Sequence, residues 1–188
     1  MPGREQSWVD SVKQHCRKCG IDYKLWNEEE LREAFPDEPV WRLADKMPEC
    51  VRRCVFLADY FRFIVVQPCE VYLDCDFKCN RKPSINFNGT TLLAIGEFWD
   101  SRCEGTAFIG VQKDCKLLPA IKGEIHRHLE ELDTDCLDNL LAAFGPEYFR
   151  CLLKKLSIKT IIVNRSELTH IQWKNNGALV HMGAGSWV

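Results

Sequence analysis

Ala58-Asp59-Tyr60-Phe61-Arg62, followed nine residues later by Val71-Tyr72-Leu73-Asp74-Cys75-Asp76, is the stretch on which the reading of this chain turns. The first half lies in a segment predicted to be a helix opened by Pro48 and running to about Val66. In it Val51, Cys54, Val55, Ala58, Phe61 and Val65 recur at helical spacing and mark an expected buried face. Pro68 stops that helix. Val71 to Asp76 then reads as a short strand, so a helix feeds directly into an apolar strand that ends in two acids. Alternate residues of a strand share a face, which predicts that Asp74 and Asp76 project together from its carboxyl end. In open α/β sheets that end is where ligands sit.

The flanking sequence supports an α/β layered domain. Ser7 to Gly20 and Glu28 to Phe35 read as helices, the second with Asn27 as N-cap and Pro36 as terminator. Pro119 to Glu131 reads as a helix, a further one starts at Asp133 and ends near Gly145, and Pro146 opens another that closes around Leu156. Leu92 to Ile95, Ala107 to Val111, Ile158 to Val163 and Ala178 to Met182 are strand candidates. No internal repeat or Gly/Ser linker divides the chain, so residues 1–188 read as one domain.

Bulk properties exclude several classes. Of the 188 residues 46% are apolar and 28% charged, a soluble globular composition. The net charge of -2 supplies no basic surplus for nucleic acid or anionic lipid. Lys13, Arg17 and Lys18 form a local basic cluster, read as solvated surface. There is no apolar window of membrane-spanning length and no signal-peptide core in MPGREQSWVD. The expected location is the cytoplasm, or the soluble part of a membrane-associated protein. The 11 cysteines are an odd number and read mainly as small buried thiols. Cys16 and Cys19 form a lone Cys-x-x-Cys, short of the four ligands of a structural zinc site.

Two adjacent carboxylates repel unless a cation lies between them. Hard oxygen donors favour Mg²⁺ or Mn²⁺, ions that bridge readily to diphosphate oxygens. Asp74 and Asp76 are therefore candidate metal ligands in a clamp on a nucleotide diphosphate, where the ion offsets the charge of the leaving group. Asp-x-Asp alone is a common pattern, and a solvated strand end explains it equally.

Taken with its surroundings the stretch is more specific. Ala58, Asp59, Tyr60, Arg62, Tyr72, Leu73, Asp74 and Asp76 resemble the sugar-binding region containing the DXD motif of glycosyltransferases related to yeast-type α-1,6-mannosyltransferases and bacterial capsular sugar transferases. Ser7-Trp8 with Tyr23-Lys24-Leu25-Trp26-Asn27 looks like the family's opening. Phe144-Gly145-Pro146 resembles its Thr-Gly-Pro turn, and His181-Met182-Gly183-Ala184-Gly185-Ser186-Trp187 its closing His…Gly-Ser-Trp. The likeness runs in order from about residue 7 to residue 187.

The resemblance implies a single-domain GT-A fold, a Rossmann-like mixed sheet flanked by helices. It implies metal-dependent transfer of a hexose, with retention, from a UDP- or GDP-sugar to a glycan or other hydroxyl acceptor. Asp76 would bind the metal directly, Asp74 through water or the donor, and His181 as a further ligand. Imidazole suits Mn²⁺ better than Mg²⁺. Asp59, Arg62, Tyr72, Ser186 and Trp187 would contact the donor. Asp59 and Arg62 lie three apart on one helix face, and the alternative for them is a surface ion pair worth under ~1 kcal/mol. His126 and His128 read as solvated. Trp8 and Trp26 read as core packing or stacking on the nucleotide base.

Two departures from the family stand out. Cys69-Glu70 replaces a Gly-Gly pair, which predicts a differently built turn, and the apolar strand with which relatives begin does not precede Ser7. The competing readings are a non-catalytic relative that binds a nucleotide sugar or a protein partner, and a cysteine-rich zinc protein.

Overall fold

A computed structural model describes residues 2–48, 51–82, 93–97, 104–132, 143–158, 160–163, 168–170 and 179–181. Its helices are α1 (Pro2–Cys19), α2 (Glu28–Ala34), α3 (Trp41–Ala44), α4 (Val51–Val65), α5 (Leu118–Glu131) and α6 (Pro146–Lys155). Its strands are β1 (Val71–Leu73), β2 (Phe77–Cys79), β3 (Leu93–Glu97), β4 (Glu104–Val111), β5 (Thr160–Val163), β6 (Leu168–His170) and β7 (Leu179–His181). The helix expected to start at Asp133 falls mostly outside the described residues.

Local chemistry explains the helix ends. Asn27 caps α2 by accepting the Glu30 N–H at 2.8 Å, while the Glu30 carboxylate accepts the Asn27 N–H at 3.0 Å, a complete capping box. Gly20, at φ +63°, terminates α1, and the Ile21 N–H returns to the Cys16 carbonyl at 2.9 Å. The ammonium of Lys122 donates to the Ile64 carbonyl at 2.7 Å, satisfying one of the free carbonyls in the last turn of α4.

The architecture is mixed α/β, but its strands form two sheets rather than one. The larger has the order β1-β4-β3-β5, with β1/β4 and β4/β3 antiparallel and β3/β5 parallel. The smaller has the order β2-β7-β6, with β2/β7 antiparallel and β7/β6 parallel. Residues 106–111 of β4 are all buried, as suits a continuous apolar run at the middle of a sheet covered on both faces. Helix α6 packs against β4 and helix α1 against β2.

The core centres on the second half of α4. Phe56, Leu57, Tyr60, Phe61, Phe63 and Ile64 are buried. Phe61 meets Trp41 of α3 at 5.0 Å between ring centroids, Phe63 stacks on Phe149 of α6 at 4.7 Å, and Phe56 and Tyr60 both contact Phe144. The single stripe expected from the sequence is therefore corrected: Cys54 is exposed, and Val55, Ala58 and Val65 are half-buried. A helix packed on several sides has no solvent face for a 3.6-residue period to mark.

Candidate functional site

The strand expected to carry both acids ends at Leu73, and Cys75-Asp76 forms a turn into β2. Period-two reasoning thus does not apply to Asp74 and Asp76, because the chain leaves the extended conformation between them. Asp74 is still tied to the sheet. Its N–H donates to the Ala107 carbonyl at 2.9 Å, one step beyond the Leu73↔Phe108 pair of the β1/β4 ladder.

The Asp74 carboxylate has defined partners. The Tyr72 hydroxyl donates to its Oδ1 at 2.7 Å, and the Arg62 guanidinium lies 3.7 Å from the same oxygen. Arg62 also hydrogen-bonds Asp59 Oδ1 and Thr106 Oγ1, and its Nε donates to the Ala58 carbonyl at 3.3 Å. Its guanidinium stands 5.5 Å from the centre of the Tyr72 ring. Helix α4, strand β1 and strand β4 each contribute to this cluster, and the β1/β4 register sets Asp74 beside Ala107 and Thr106.

Burial distinguishes the cluster from a surface ion pair. Asp59 is 1% exposed, Arg62 4% and Thr106 4%. Asp59 Oδ2 is buried without a hydrogen-bond partner. Burial pushes the Asp59 carboxyl up to about 6, against the pull of Arg62 and with the repulsion of Asp74. Burial opposes the charge on Arg62, but Asp74 and Asp59 outweigh it and hold the guanidinium firmly protonated. Burial, and then the Asp74 charge, raise the Tyr72 hydroxyl well above its ordinary range, so it stays a neutral donor.

The sequence-derived set is thus brought together in part. Asp59, Arg62, Tyr72 and Asp74 converge, and Asp76 lies half-buried one residue beyond Cys75. In this conformation Asp59 and Arg62 meet one another, Thr106 and Asp74 rather than solvent. His181 pairs across the smaller sheet with Phe77, so its backbone stands opposite the residue after Asp76. Its side chain lies outside the described residues, as do Ser186 and Trp187. Thr106 is the member without an assigned role in the sequence; its signal was a lone hydroxyl residue opening the apolar run Ala107 to Val111.

The donor chemistry suits a hard cation: carboxylates at Asp74 and Asp76, with an imidazole-bearing residue close in the backbone. Among the described residues no three His, Cys, Asp or Glu side chains are gathered tightly enough to hold an ion.

His128 departs from the solvated reading, whereas His126 stays substantially exposed but gains a specific partner. His126 Nε2 lies 3.0 Å from Glu38 Oε2, which also accepts from the Tyr60 hydroxyl at 2.5 Å. His128 stacks on Tyr148 at 4.2 Å and hydrogen-bonds the Ala143 carbonyl at 3.0 Å. Trp26 packs against Phe35 at 5.7 Å, and the Lys24 ammonium stands 3.4 Å from the centre of the Trp26 ring. The Cys69-Glu70 turn also differs from expectation. Cys69 adopts φ +71°, the left-handed conformation that glycine favours, so the turn keeps a glycine-like backbone with a side chain on it.

Among the described residues no helix is long and apolar enough to cross a membrane. Compared with known proteins, the chain matches no family model and no curated relative.

Proposed function

We propose that this chain is a metal-dependent glycosyltransferase that moves a hexose from a UDP- or GDP-sugar to a hydroxyl acceptor with retention of configuration. The observation that carries the reading is the convergence of Asp59, Arg62, Tyr72 and Asp74, from a helix and a strand, at the turn that bears Asp76. Buried charges cost free energy unless they are paired and hydrogen-bonded. An arrangement in which Arg62 serves two acids and a hydroxyl is an expensive way to close a core and a reasonable way to orient one carboxylate. Tyr72 and Arg62 fix Asp74 through Oδ1, leaving Oδ2 for a ribose or sugar hydroxyl or for a metal-bound water.

Asp76 and His181 are the residues that would hold Mn²⁺, with Mg²⁺ as the alternative. The ion would neutralise the diphosphate as the bond between sugar and phosphate breaks. Arg62 would act from beneath: its fixed positive charge lowers the cost of bringing a diphosphate close. The expected chemistry breaks the anomeric carbon–oxygen bond of the donor, forms a bond from that carbon to the acceptor oxygen, and releases the acceptor proton.

The buried state of Arg62 favours one second reading, a relative that binds a nucleotide sugar without turnover, because donor contact by Arg62 or Asp59 requires this cluster to open. A panel of UDP- and GDP-sugars with Mn²⁺ decides the matter. Slow release of free sugar that Asp76→Ala abolishes supports transfer. Mn²⁺-dependent binding without release supports the second reading. Neither turnover nor Mn²⁺-dependent binding overturns both.

A further inference from the structure

The buried run of β4 opens on a hydroxyl residue. Thr106 is 4% exposed, and its Oγ1 accepts a hydrogen bond from Arg62 Nη1, which lies 44 positions earlier in the chain. A buried hydroxyl costs free energy unless it is satisfied. Valine has the same branched shape without that cost, so packing alone does not call for threonine here. The hydroxyl serves Arg62.

A guanidinium is planar and rigid, so its orientation is set once two of its nitrogens are held. Two contacts come from Arg62's own helix. Nε donates to the Ala58 carbonyl at 3.3 Å, and Nη2 donates to Asp59 Oδ1. Ala58 and Asp59 lie four and three positions back on α4, so these contacts travel with the helix and do not tie Arg62 to the sheet. Thr106 supplies that tie. The next residue of the same strand, Ala107, accepts the Asp74 N–H at 2.9 Å. Consecutive residues of β4 thus act on Asp74 by two routes. Ala107 holds its backbone, and Thr106 reaches its carboxylate through Arg62, whose Nη2 stands 3.7 Å from Asp74 Oδ1.

We infer that Thr106 is a positioning residue: by holding Arg62 Nη1 on β4 it keeps Nη2 facing both Asp59 and Asp74, and so sets the Asp74 carboxylate at the turn proposed to carry the ion. The inference rests on the proposed role of Asp74 at a metal site. Without the hydroxyl, Nη1 loses a buried acceptor, and the rigid fork is free to turn toward Asp59, its partner on the same helix. The Tyr72 hydroxyl, 2.7 Å from Asp74 Oδ1, would then orient that carboxylate without the arginine.

The test compares the full-length wild type with Thr106→Val, which removes the hydroxyl and keeps the shape, and Thr106→Ser, which keeps the hydroxyl. The metal-free readout is NMR of the Arg62 guanidinium nitrogens. Slow rotation about the Nε–Cζ bond, with separate Nη signals, is expected in the wild type and in Thr106→Ser and is lost in Thr106→Val. The second readout is Mn²⁺ affinity by electron paramagnetic resonance, on chains that near-UV circular dichroism shows to be folded. Thr106→Val should bind Mn²⁺ about 10–100-fold more weakly, the loss expected for a group behind a metal ligand, and Thr106→Ser should restore most of it. A freely rotating Arg62 in the wild type overturns the inference without any variant. Averaged Arg62 signals in Thr106→Val with unchanged Mn²⁺ affinity also overturn it, because Thr106 then only closes the core, and they leave the metal reading standing. So does a loss of affinity in Thr106→Ser as large as that in Thr106→Val. A wild type with a locked Arg62 that binds no Mn²⁺ overturns the metal reading of Asp74, and the positioning role falls with it.

Discussion

Replacing Cys69 by glycine should stabilise this protein, although it removes a side chain. Gln67-Pro68-Cys69-Glu70 forms a tight turn closed by Glu70 N–H to the Gln67 carbonyl at 3.0 Å. Pro68 occupies the second position and Cys69, at φ +71°, the third, which is the pattern of a type II turn normally completed by glycine. An L-residue in the left-handed region costs about 1–2 kcal/mol. Glycine gives back about 0.4–1 kcal/mol through the greater freedom of the unfolded chain. The thiol is exposed, so little packing is lost, and the Cys69 N–H still reaches the Val111 carbonyl at 2.9 Å. The net gain is about 0.5–1 kcal/mol, equivalent to a rise in Tm of about 1–4 °C for a chain of this size. Urea unfolding followed by tryptophan fluorescence gives the comparison, with Cys69→Ala as the control that keeps the strained backbone. The reasoning fails if Cys69→Gly is no more stable than Cys69→Ala.

The remaining expectations concern the cluster and the caps. Tyr72→Phe removes the donor to Asp74 Oδ1, and Mn²⁺ affinity by electron paramagnetic resonance should fall about 10–100-fold, as for other groups that orient a metal ligand; unchanged affinity would detach Asp74 from the metal. Asp59 has a folded pKa of about 6, above the ordinary value of 3.8, so the folded state binds the extra proton. Its favourable contribution is full below about pH 4 and is lost as pH rises to about 6. The stability of wild type minus that of Asp59→Asn should therefore decline across that window, and a rise there refutes the assignment. Asn27→Ala breaks the capping box of α2 and should cost about 1 kcal/mol in chemical unfolding. Tyr60→Phe withdraws a buried donor from Glu38 and should cost about 1–3 kcal/mol, measured the same way.

Where local chemistry decides, the sequence could be read closely. Asn27 and Glu30 mark the start of α2 because a cap is a contact between residues three apart. Pro119 and Pro146 fall in the first turns of α5 and α6 because their rings fit there. Strand β2, strand β6 and helix α3 escaped notice for the opposite reason. Phe77-Lys78-Cys79 is too short to display a period, and its strand state depends on β7, about a hundred residues away. Splitting of the strands between two sheets depends on the same distant pairing.

The site was legible as a list of residues but not as an arrangement. Asp59 and Arg62 are the only charges between Val55 and Val66, and two charges within so apolar a run had to be either exposed on a narrow stripe or buried against each other. Spacing alone cannot choose, since i and i+3 meet on a helix in either case. The choice is made by β4, which brings Thr106 against Arg62, and by β1, which carries Asp74 to within 3.7 Å of the same guanidinium. The two acids of Asp-x-Asp are thereby separated in role as well as in backbone. Asp74 is oriented from below by tyrosine and arginine, while Asp76, on the turn, is placed by whatever fixes β2. Loosening the α1–β2 junction should therefore disturb Asp76 before it disturbs Asp74, and the Tyr72–Asp74 contact should survive changes at α1 that weaken the metal binding proposed at the turn.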